Sequence, residues 1–411
     1  MNILIVSQYF WPENFRINDL AKSLTEKGYV VEVLTGKPNY PEGRVFDGYS
    51  IWGFKNELRK SISIYRVPIL PRGSNSRVKL ILNYCSFVLS GLLFAPWLLR
   101  KKKYDVIFVY APSPIFQAIP ASFLGWLKGV PVVLWVQDLW PQSAEATGYV
   151  KSAWVLKLID KLVRFTYSHT DLLLVQSEAF IEPVSKLAPN IPVAYFPNLV
   201  EKEFYSPQVT HAPKIESLQS GFTVLFAGNV GSAQAMETVV AAAERLHVYP
   251  EIKIVILGSG SKSDWVAQQI RDKKITNLYL EGRFPVETMP VLMRQASALL
   301  VTLTNQPIFE LTIPSKIQAY LAVGKPIIAC LNGEGARLVT EAKAGIAIKA
   351  EDGEGLAHAI IKLYQMSEAE RGRMGVNGRA YFKQHFDEEI LTAELVKHFE
   401  TLIGKNKKDN H

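Results

Sequence analysis

Ser315 and Lys316 are the residues whose types and setting point most directly to chemistry. They lie in Glu310-Leu311-Thr312-Ile313-Pro314-Ser315-Lys316-Ile317-Gln318, which runs on to Gly324-Lys325-Pro326. An apolar run, Ala298 to Leu303, precedes this stretch and another, Ile327 to Leu331, follows it. The pattern reads as the connection and short helix of one βαβ unit. Such a helix opens at the C-terminal edge of its sheet with unpaired backbone N–H groups and the positive end of a dipole, where an anion would sit. Pro314 fits a first-turn position, Ser315 serves as a cap or a hydroxyl donor, and Lys316 places a formal charge beside the amides. Gly324 ends the helix and Pro326 stops it continuing. By itself, Thr312 to Ser315 also reads as nothing more than a well-capped helix start.

The elements that would position this stretch follow from the apolar runs. At 411 residues the chain exceeds what one hydrophobic core organises, so two domains are expected. Ile3 to Ser7 reads as a buried strand, Ile17, Leu20, Ala21 and Leu24 recur at helical spacing before Gly28, and Val30 to Leu34 is the next strand. Further strands are expected at 105–110, 132–136 and 172–175. A second round is expected at 223–227, 252–257, 278–281, 298–303, 327–331 and 345–348. This alternation predicts an α/β fold with two parallel doubly wound sheets. Phe196-Pro197-Asn198 and a polar segment up to Ser220 mark the boundary, so the domains are drawn at 1–200 and 201–385, followed by a helical segment and tail at 386–411. Gly404 to His411 reads as a frayed tail.

The net charge of +8 indicates an anionic partner, either a nucleotide sugar, a membrane surface or nucleic acid. Nucleic acid is the poorest fit, because no basic, aromatic-interleaved element or zinc-finger spacing occurs. Cys85 and Cys330 lie far apart in apolar runs, which argues against a disulfide framework and suits a reducing cytoplasm. The N-terminus lacks the basic and long apolar regions of a secretory signal. No histidine pair has metal-site spacing and no Asp-x-Asp is present, so no tightly held metal or other cofactor is expected.

Val78 to Leu99 is the most apolar segment and ends in Arg100-Lys101-Lys102-Lys103. It approaches the ~20 residues needed to span a bilayer. Spanning is disfavoured, because strands of one sheet flank it and Lys79, Asn83 and Pro96 interrupt it. Two readings stay open: a buried core helix, and a helix over 78–103 that dips into a membrane face with Trp97 and the basic cluster at the headgroups.

Four segments together carry a family likeness: Pro314-Ser315-Lys316 with Gly324-Lys325-Pro326, Phe226-Ala227-Gly228-Asn229-Val230-Gly231, Val136-Gln137-Asp138-Leu139-Trp140-Pro141, and Phe196-Pro197-Asn198. In this order the chain resembles the bacterial GT-B glycosyltransferases of family 4, in particular the group that builds capsule, O-antigen and exopolysaccharide. The resemblance implies two facing Rossmann-like domains, the second for a nucleotide-sugar donor and the first for the acceptor, with a C-terminal helix crossing back to the first domain. It also implies retention, no bound metal, and a polyprenyl-diphosphate-linked glycan acceptor at the cytoplasmic face of the inner membrane.

Carried over by position, Ser315 and Lys316 would hold the donor diphosphate, Arg283 would lie beside the base, and Asn229 would face the leaving phosphate. Asp138 would approach the donor sugar or the acceptor hydroxyl, and Glu13 and Arg16 would line the diphosphate and acceptor side. The family's paired glutamates would fall on Leu311 and Ala319; Glu310 and Gln318 keep the spacing, each shifted by one. Glu310 is therefore carried as a catalytic candidate and Gln318 as a donor-binding one.

The chemistry the resemblance implies is transfer of a sugar, expected to be an acetamido or deoxy sugar from a UDP-linked donor. Positive charge develops at the anomeric carbon and negative charge on the departing phosphate, so preorganised donors at the phosphate do much of the catalysis. Two alternatives fit the same sequence: a sugar-nucleotide epimerase on this fold, and a non-catalytic membrane-bound scaffold of a polysaccharide complex. A dinucleotide dehydrogenase fits poorly, because Gly258-Ser259-Gly260 lacks the third glycine of its fingerprint.

Overall fold

The computed structural model describes residues 1–73, 76–146, 150, 152–206 and 212–409. Residues 207–211 of the expected boundary segment, and Asn410 and His411 of the expected tail, lie outside them. The chain divides into two compact units, Met1–Leu199 with Glu388–His411, and Val200–Asp387.

The first unit is built on β1 (Asn2–Val6), β2 (Val30–Thr35), β3 (Lys55–Arg59), β4 (Ile62–Arg66), β5 (Val106–Ala111), β6 (Val132–Val136), β7 (Leu172–Val175) and β8 (Val193–Tyr195). Their order in the sheet is β3-β4-β2-β1-β5-β6-β7-β8. All neighbours run parallel except β3 and β4, an antiparallel hairpin. The central strands are apolar throughout because both faces are covered, the expected signature of a parallel sheet. On one face Ile3, Ile5, Val33, Phe108 and Trp135 pack with Leu391, Leu395 and Phe399 of the last helix, Glu388–Asp409. The Phe108 and Phe399 rings lie 5.6 Å apart. Each such buried side chain contributes about 2 kcal/mol, which is enough to hold a terminal helix on this sheet.

That helix runs through Gly404 to Asp409, so the expected frayed tail is mostly helical.

The second unit contains β9 (Phe222–Ala227), β10 (Ile252–Leu257), β11 (Leu278–Gly282), β12 (Ala298–Thr302), β13 (Ile327–Cys330) and β14 (Gly345–Ile348). Its sheet is parallel throughout in the order β11-β10-β9-β12-β13-β14. The strand order reverses between β9 and β12, and in the first unit between β1 and β5. Open α/β sheets bind ligands beyond the strand C-termini at such switch points. The connections after β9 and β12 are those that carry Asn229 and Lys316.

Candidate functional site

In the second unit the helix Ser315–Val323 starts one residue later than expected. Pro314 is extended and occupies the N-cap position, and Ser315 is the first helical residue. Pro314 cannot be the first-turn residue because its ψ of 124° is not helical. No side chain caps the helix; the Ile317 amide donates to the Pro314 carbonyl at 2.9 Å, and the Ser315 and Lys316 amides ahead of it are left for a ligand. The buried Tyr320 pins the helix under the sheet edge: its Oη accepts from the Ala227 amide at 3.2 Å and lies 3.3 Å from the Leu300 carbonyl. At the far end Gly324 adopts φ 74°, and Arg379 Nη2 donates to the Val323 carbonyl at 2.8 Å.

Lys316 lies inward from this helix start. Its Nζ sits 3.8 Å from the ring centre of Phe226, the penultimate residue of β9. Its aliphatic end crosses Gly228, where an added Cβ would meet Lys316 Cε at 2.7 Å. Gly228, with φ 126°, therefore provides both the backbone conformation and the space for this lysine. Among the described residues no carboxylate pairs with Lys316. Burial pushes its ammonium down to about 7, because the ring face alone does not replace lost hydration.

The loop after β9 is fixed beside it. Gln234 Oε1 accepts from the Gly231 amide at 3.0 Å and from Asn229 Nδ2 at 3.3 Å, and the Val230 amide donates to the Ser259 carbonyl at 3.1 Å. Asn229 is exposed and follows Gly228, over which the Lys316 side chain lies, so the structure brings these two candidates to one switch point. Glu310 is the penultimate residue of the short helix Pro307–Leu311 on the β12 connection, is exposed, and accepts from Asn332 Nδ2 at 3.4 Å. Arg283 is exposed just past β11, at the far edge of the sheet. Three strand spacings, about 14 Å, separate that edge from β12.

Gln318 differs most from its expected role. It is fully buried and neither amide atom finds a hydrogen-bond partner among the described residues. Its helix is buried from Ile317 through Val323, and its amide is not presented to solvent. Gln234 and Phe226, absent from the sequence-derived set, are the residues that shape Asn229 and Lys316.

In the first unit Asp138 stands two residues beyond β6. Burial pushes its carboxyl up to about 7, and it acts across space on the buried phenol of Tyr167. Around it the C-terminal edge of the sheet gathers polar atoms that are buried and unbonded: Gln137 Nε2, Trp140 Nε1, Gln176 Oε1, Ser177 Oγ and Asn198 Oδ1. Buried polar groups are almost always satisfied, so this concentration marks a surface built to meet a polar ligand. Only Asp138 among them was selected from the sequence. Their common signal was position, each lying within four residues of the C-terminal end of a strand.

Glu13 is 2% exposed. Its Oε1 accepts from the amides of Asn39 and Tyr40, both at 2.8 Å, and its Oε2 from the Phe10 amide at 3.4 Å. Burial nevertheless pushes its carboxyl up to about 7 against those bonds. Glu13 therefore ties the loop after β1 to the loop after β2, and its oxygens are committed to the scaffold. Arg16 is half-buried at the start of the helix Ile17–Glu26, where its carbonyl accepts from the Asp19 and Leu20 amides. Among the described residues no three His, Cys, Asp or Glu side chains converge as a metal site requires.

The helix Arg77–Leu98 is long and apolar enough to cross a membrane by length and composition. It lies instead along the unit, burying Asn83, Phe87, Gly91 and Ala95 on one face. A Cβ on Gly91 would come within 2.7 Å of Pro120, so this contact with the helix Ile119–Lys128 is backbone-close. The opposite face exposes Val78, Ile81, Leu82, Leu89, Leu93 and Trp97, with Leu93 at 69%. The buried-core reading of this segment is thereby overturned, because the fold covers only one of its faces.

Two family models match the chain in succession. The glycosyl transferase 4-like domain matches residues 14–198 and glycosyl transferases group 1 matches residues 221–366. A protein of Escherichia coli (strain K12) described as a colanic acid biosynthesis glycosyl transferase, WcaI, is 25% identical over 79% of this chain and 82% of its own length. Among solved structures, sucrose-phosphate synthase from Thermosynechococcus elongatus superposes with a TM-score of 0.72 at 16% identity, covering 98% of this chain and 99% of that one. Anabaena HepE, solved with UDP and glucose, superposes with a TM-score of 0.67 at 14% identity, covering 98% and 100%.

Proposed function

This chain belongs to the bacterial GT-B glycosyltransferases of family 4 and is an enzyme that uses a nucleotide-sugar donor; from that premise we propose that it moves an acetamido or deoxy sugar from a UDP-linked donor, with retention, to a polyprenyl-diphosphate-linked glycan in surface-polysaccharide synthesis. The observation that carries this reading is the inward, unpaired Lys316 at an uncapped helix start on the switch point. An ammonium held that way gains most from a bound phosphate, which restores its charge and receives the free amides.

The steps follow from these groups. Lys316, the amides of the helix start and Asn229 stabilise the negative charge that grows on the leaving phosphate. The anomeric carbon becomes oxocarbenium-like as the bond breaks. With retention the departing phosphate oxygen accepts the proton of the attacking hydroxyl, while Asp138 orients that hydroxyl. The polar atoms around Asp138 recognise the acceptor's sugar. UDP is favoured as the nucleotide because HepE, of the same fold, was solved with it. The assay is incubation with UDP-, GDP- and dTDP-sugars and a polyprenyl-diphosphate-linked sugar. A lengthened lipid product with a UDP-sugar is expected. Altered donor without acceptor would instead identify an epimerase.

The same reading places the protein on the cytoplasmic face of the inner membrane, peripherally bound. Its support is the outward apolar face of Arg77–Leu98, extended by Phe54, whose ring lies 5.0 Å from Phe94 and 5.8 Å from Trp97. Trp126, on the adjoining helix, is 77% exposed. Arg100 stacks 5.1 Å from the Trp97 ring, putting a cation where headgroups would be. A contiguous apolar face of this kind marks an interaction surface, and a helix packed lengthwise on its own domain lies in an interface. Replacing Leu89 and Leu93 together by Glu should abolish flotation with anionic vesicles and leave the melting temperature within a few degrees. Unfolding of that variant would show the face to be structural.

A further inference from the structure

The hairpin β3–β4 and the loop after β2 hold a group of cations that the transfer reading does not use. Lys37, directly beyond β2, is 2% exposed, and its ammonium has no hydrogen-bond or ion-pair partner among the described residues. Arg66 and Lys55 act on it across space, and the carboxylate within that range is Glu57. Glu57 is already paired, at 2.8 Å from Arg66 Nε and 3.1 Å from Lys55 Nζ. Arg66 spends its remaining donors on the Gly36 and Trp11 carbonyls. Arg59 stacks 3.6 Å over the Trp11 ring, and its Nη1 is buried without a bonding partner. Three cations, Lys37, Arg66 and Lys55, thus share one carboxylate, and Lys37 and Arg59 retain donors with nothing to bond.

A side chain buried along its length with an unpaired ammonium at its end is costly for a fold, and it becomes favourable once an anion fills the place. The cluster is joined to the apolar helix at two points. Asn39 donates to the Lys37 carbonyl at 3.0 Å, and its Oδ1 lies 3.4 Å from Nδ2 of Asn83 on that helix. Phe54, next to Lys55, packs on Phe94 and Trp97. In the sheet β2 lies three strands from β6, about 14 Å from the strand that carries Asp138. That offset leaves room for sugar between Asp138 and a phosphate at Lys37.

We propose that Lys37, with Arg59 beside the ion-paired Arg66 and Lys55, forms a phosphate-binding site that receives the diphosphate of the lipid-linked acceptor. The phosphate chemistry follows from the unpaired donors alone; its assignment to the acceptor rests on the transferase reading. A site here would set the register of the lipid-linked glycan, so that its terminal sugar reaches Asp138.

Full-length protein saturated with UDP, so that the donor side is filled, tests this in three arms: inorganic pyrophosphate, phosphatidylcholine vesicles with polyprenyl diphosphate, and phosphatidylcholine vesicles with phosphatidylglycerol. Lys37→Met should weaken binding in the first two arms at least tenfold and shift the third less than twofold. Its melting temperature should hold or rise, because a buried unpaired charge is removed. Arg59→Gln should give a smaller loss in the same two arms and covers the case in which Lys37→Met does not fold. Equal losses on both vesicle types would reassign the cluster to lipid headgroups. Unchanged pyrophosphate binding in both variants would overturn the site. Binding is read without transfer, so absence of sugar transfer in the assay above leaves this outcome standing on its own.

Discussion

Lys316→Met should lower affinity for UDP and for the UDP-sugar by about a hundredfold or more and reduce kcat as well, with no loss of thermal stability in the absence of nucleotide. The magnitude follows from removing one fixed cationic donor at a developing phosphate charge, roughly 3–4 kcal/mol. The stability result follows from the lysine's surroundings. Burial pushes its ammonium down to about 7, so above that pH the free protein already holds it mostly neutral over the Phe226 ring. Methionine fills the same space without that cost. In linkage terms the folded pKa lies below the ordinary lysine value of about 10.4, so the unfolded chain binds the proton more tightly and stability rises with pH until the unfolded value is reached. Methionine should remove that rise.

Binding of a diphosphate reverses the balance at Lys316, because a bound dianion favours the charged ammonium. UDP binding above pH 7 should therefore take up a proton, seen in calorimetry as a dependence of the observed heat on the ionisation enthalpy of the buffer. The affinity should weaken as pH rises from 7 to 9. Lys316→Met should show neither effect. Wild-type affinity that is flat over this range would remove Lys316 from the phosphate contact.

The parts of this molecule that were legible in the sequence are those fixed by local pattern. Strands such as Val132–Val136 and Ala298–Thr302 are buried on both faces and so announce themselves as unbroken apolar runs. The hairpin Lys55–Arg59 and Ile62–Arg66 did not, because an edge pair alternates polar residues and one of its strands carries Lys55, Glu57 and Arg59. Lys316 was legible because glycine and proline punctuate its helix. The burial of Gln318 was not legible, because its helix is buried from Ile317 through Val323 on every side and so shows no polar face to mark it.

The burial of Glu13 and of Lys37 was illegible for a different reason. The partners that fix Glu13 are backbone amides of Asn39 and Tyr40, and the charges that surround Lys37 are on Lys55, Glu57 and Arg66. Only the parallel pairing of β2 with both β1 and β4 brings those residues together. A lone carboxylate or lysine in a loop carries no mark of its future burial. Asp138 lies between these cases, because its place after an apolar strand was visible and the ring of unbonded polar atoms around it was not.

Asp138→Asn should reduce kcat by about 10²- to 10⁴-fold, the range for loss of a positioned acid–base group, while the dissociation constant for the UDP-sugar changes less than threefold. Asn keeps the volume and a hydrogen-bonding amide, so the loss would report the carboxylate itself. The pH profile separates that role from simple packing. Burial pushes this carboxyl up to about 7, so in the wild type kcat/KM should rise with pH through that value as the carboxylate forms. The residual activity of Asp138→Asn should lack that limb. Stability carries the opposite sign. A carboxyl whose folded pKa exceeds the unfolded value of about 3.9 contributes stability at low pH that is lost as pH climbs from about 4 to 7. At pH 8 the Asn variant should therefore melt at or above the wild-type temperature. A variant that is both inactive and destabilised at pH 8 would make Asp138 a structural cap on the β6 turn, whereas an inactive, equally stable variant with a flat profile would identify it as the carboxylate that acts on the acceptor hydroxyl.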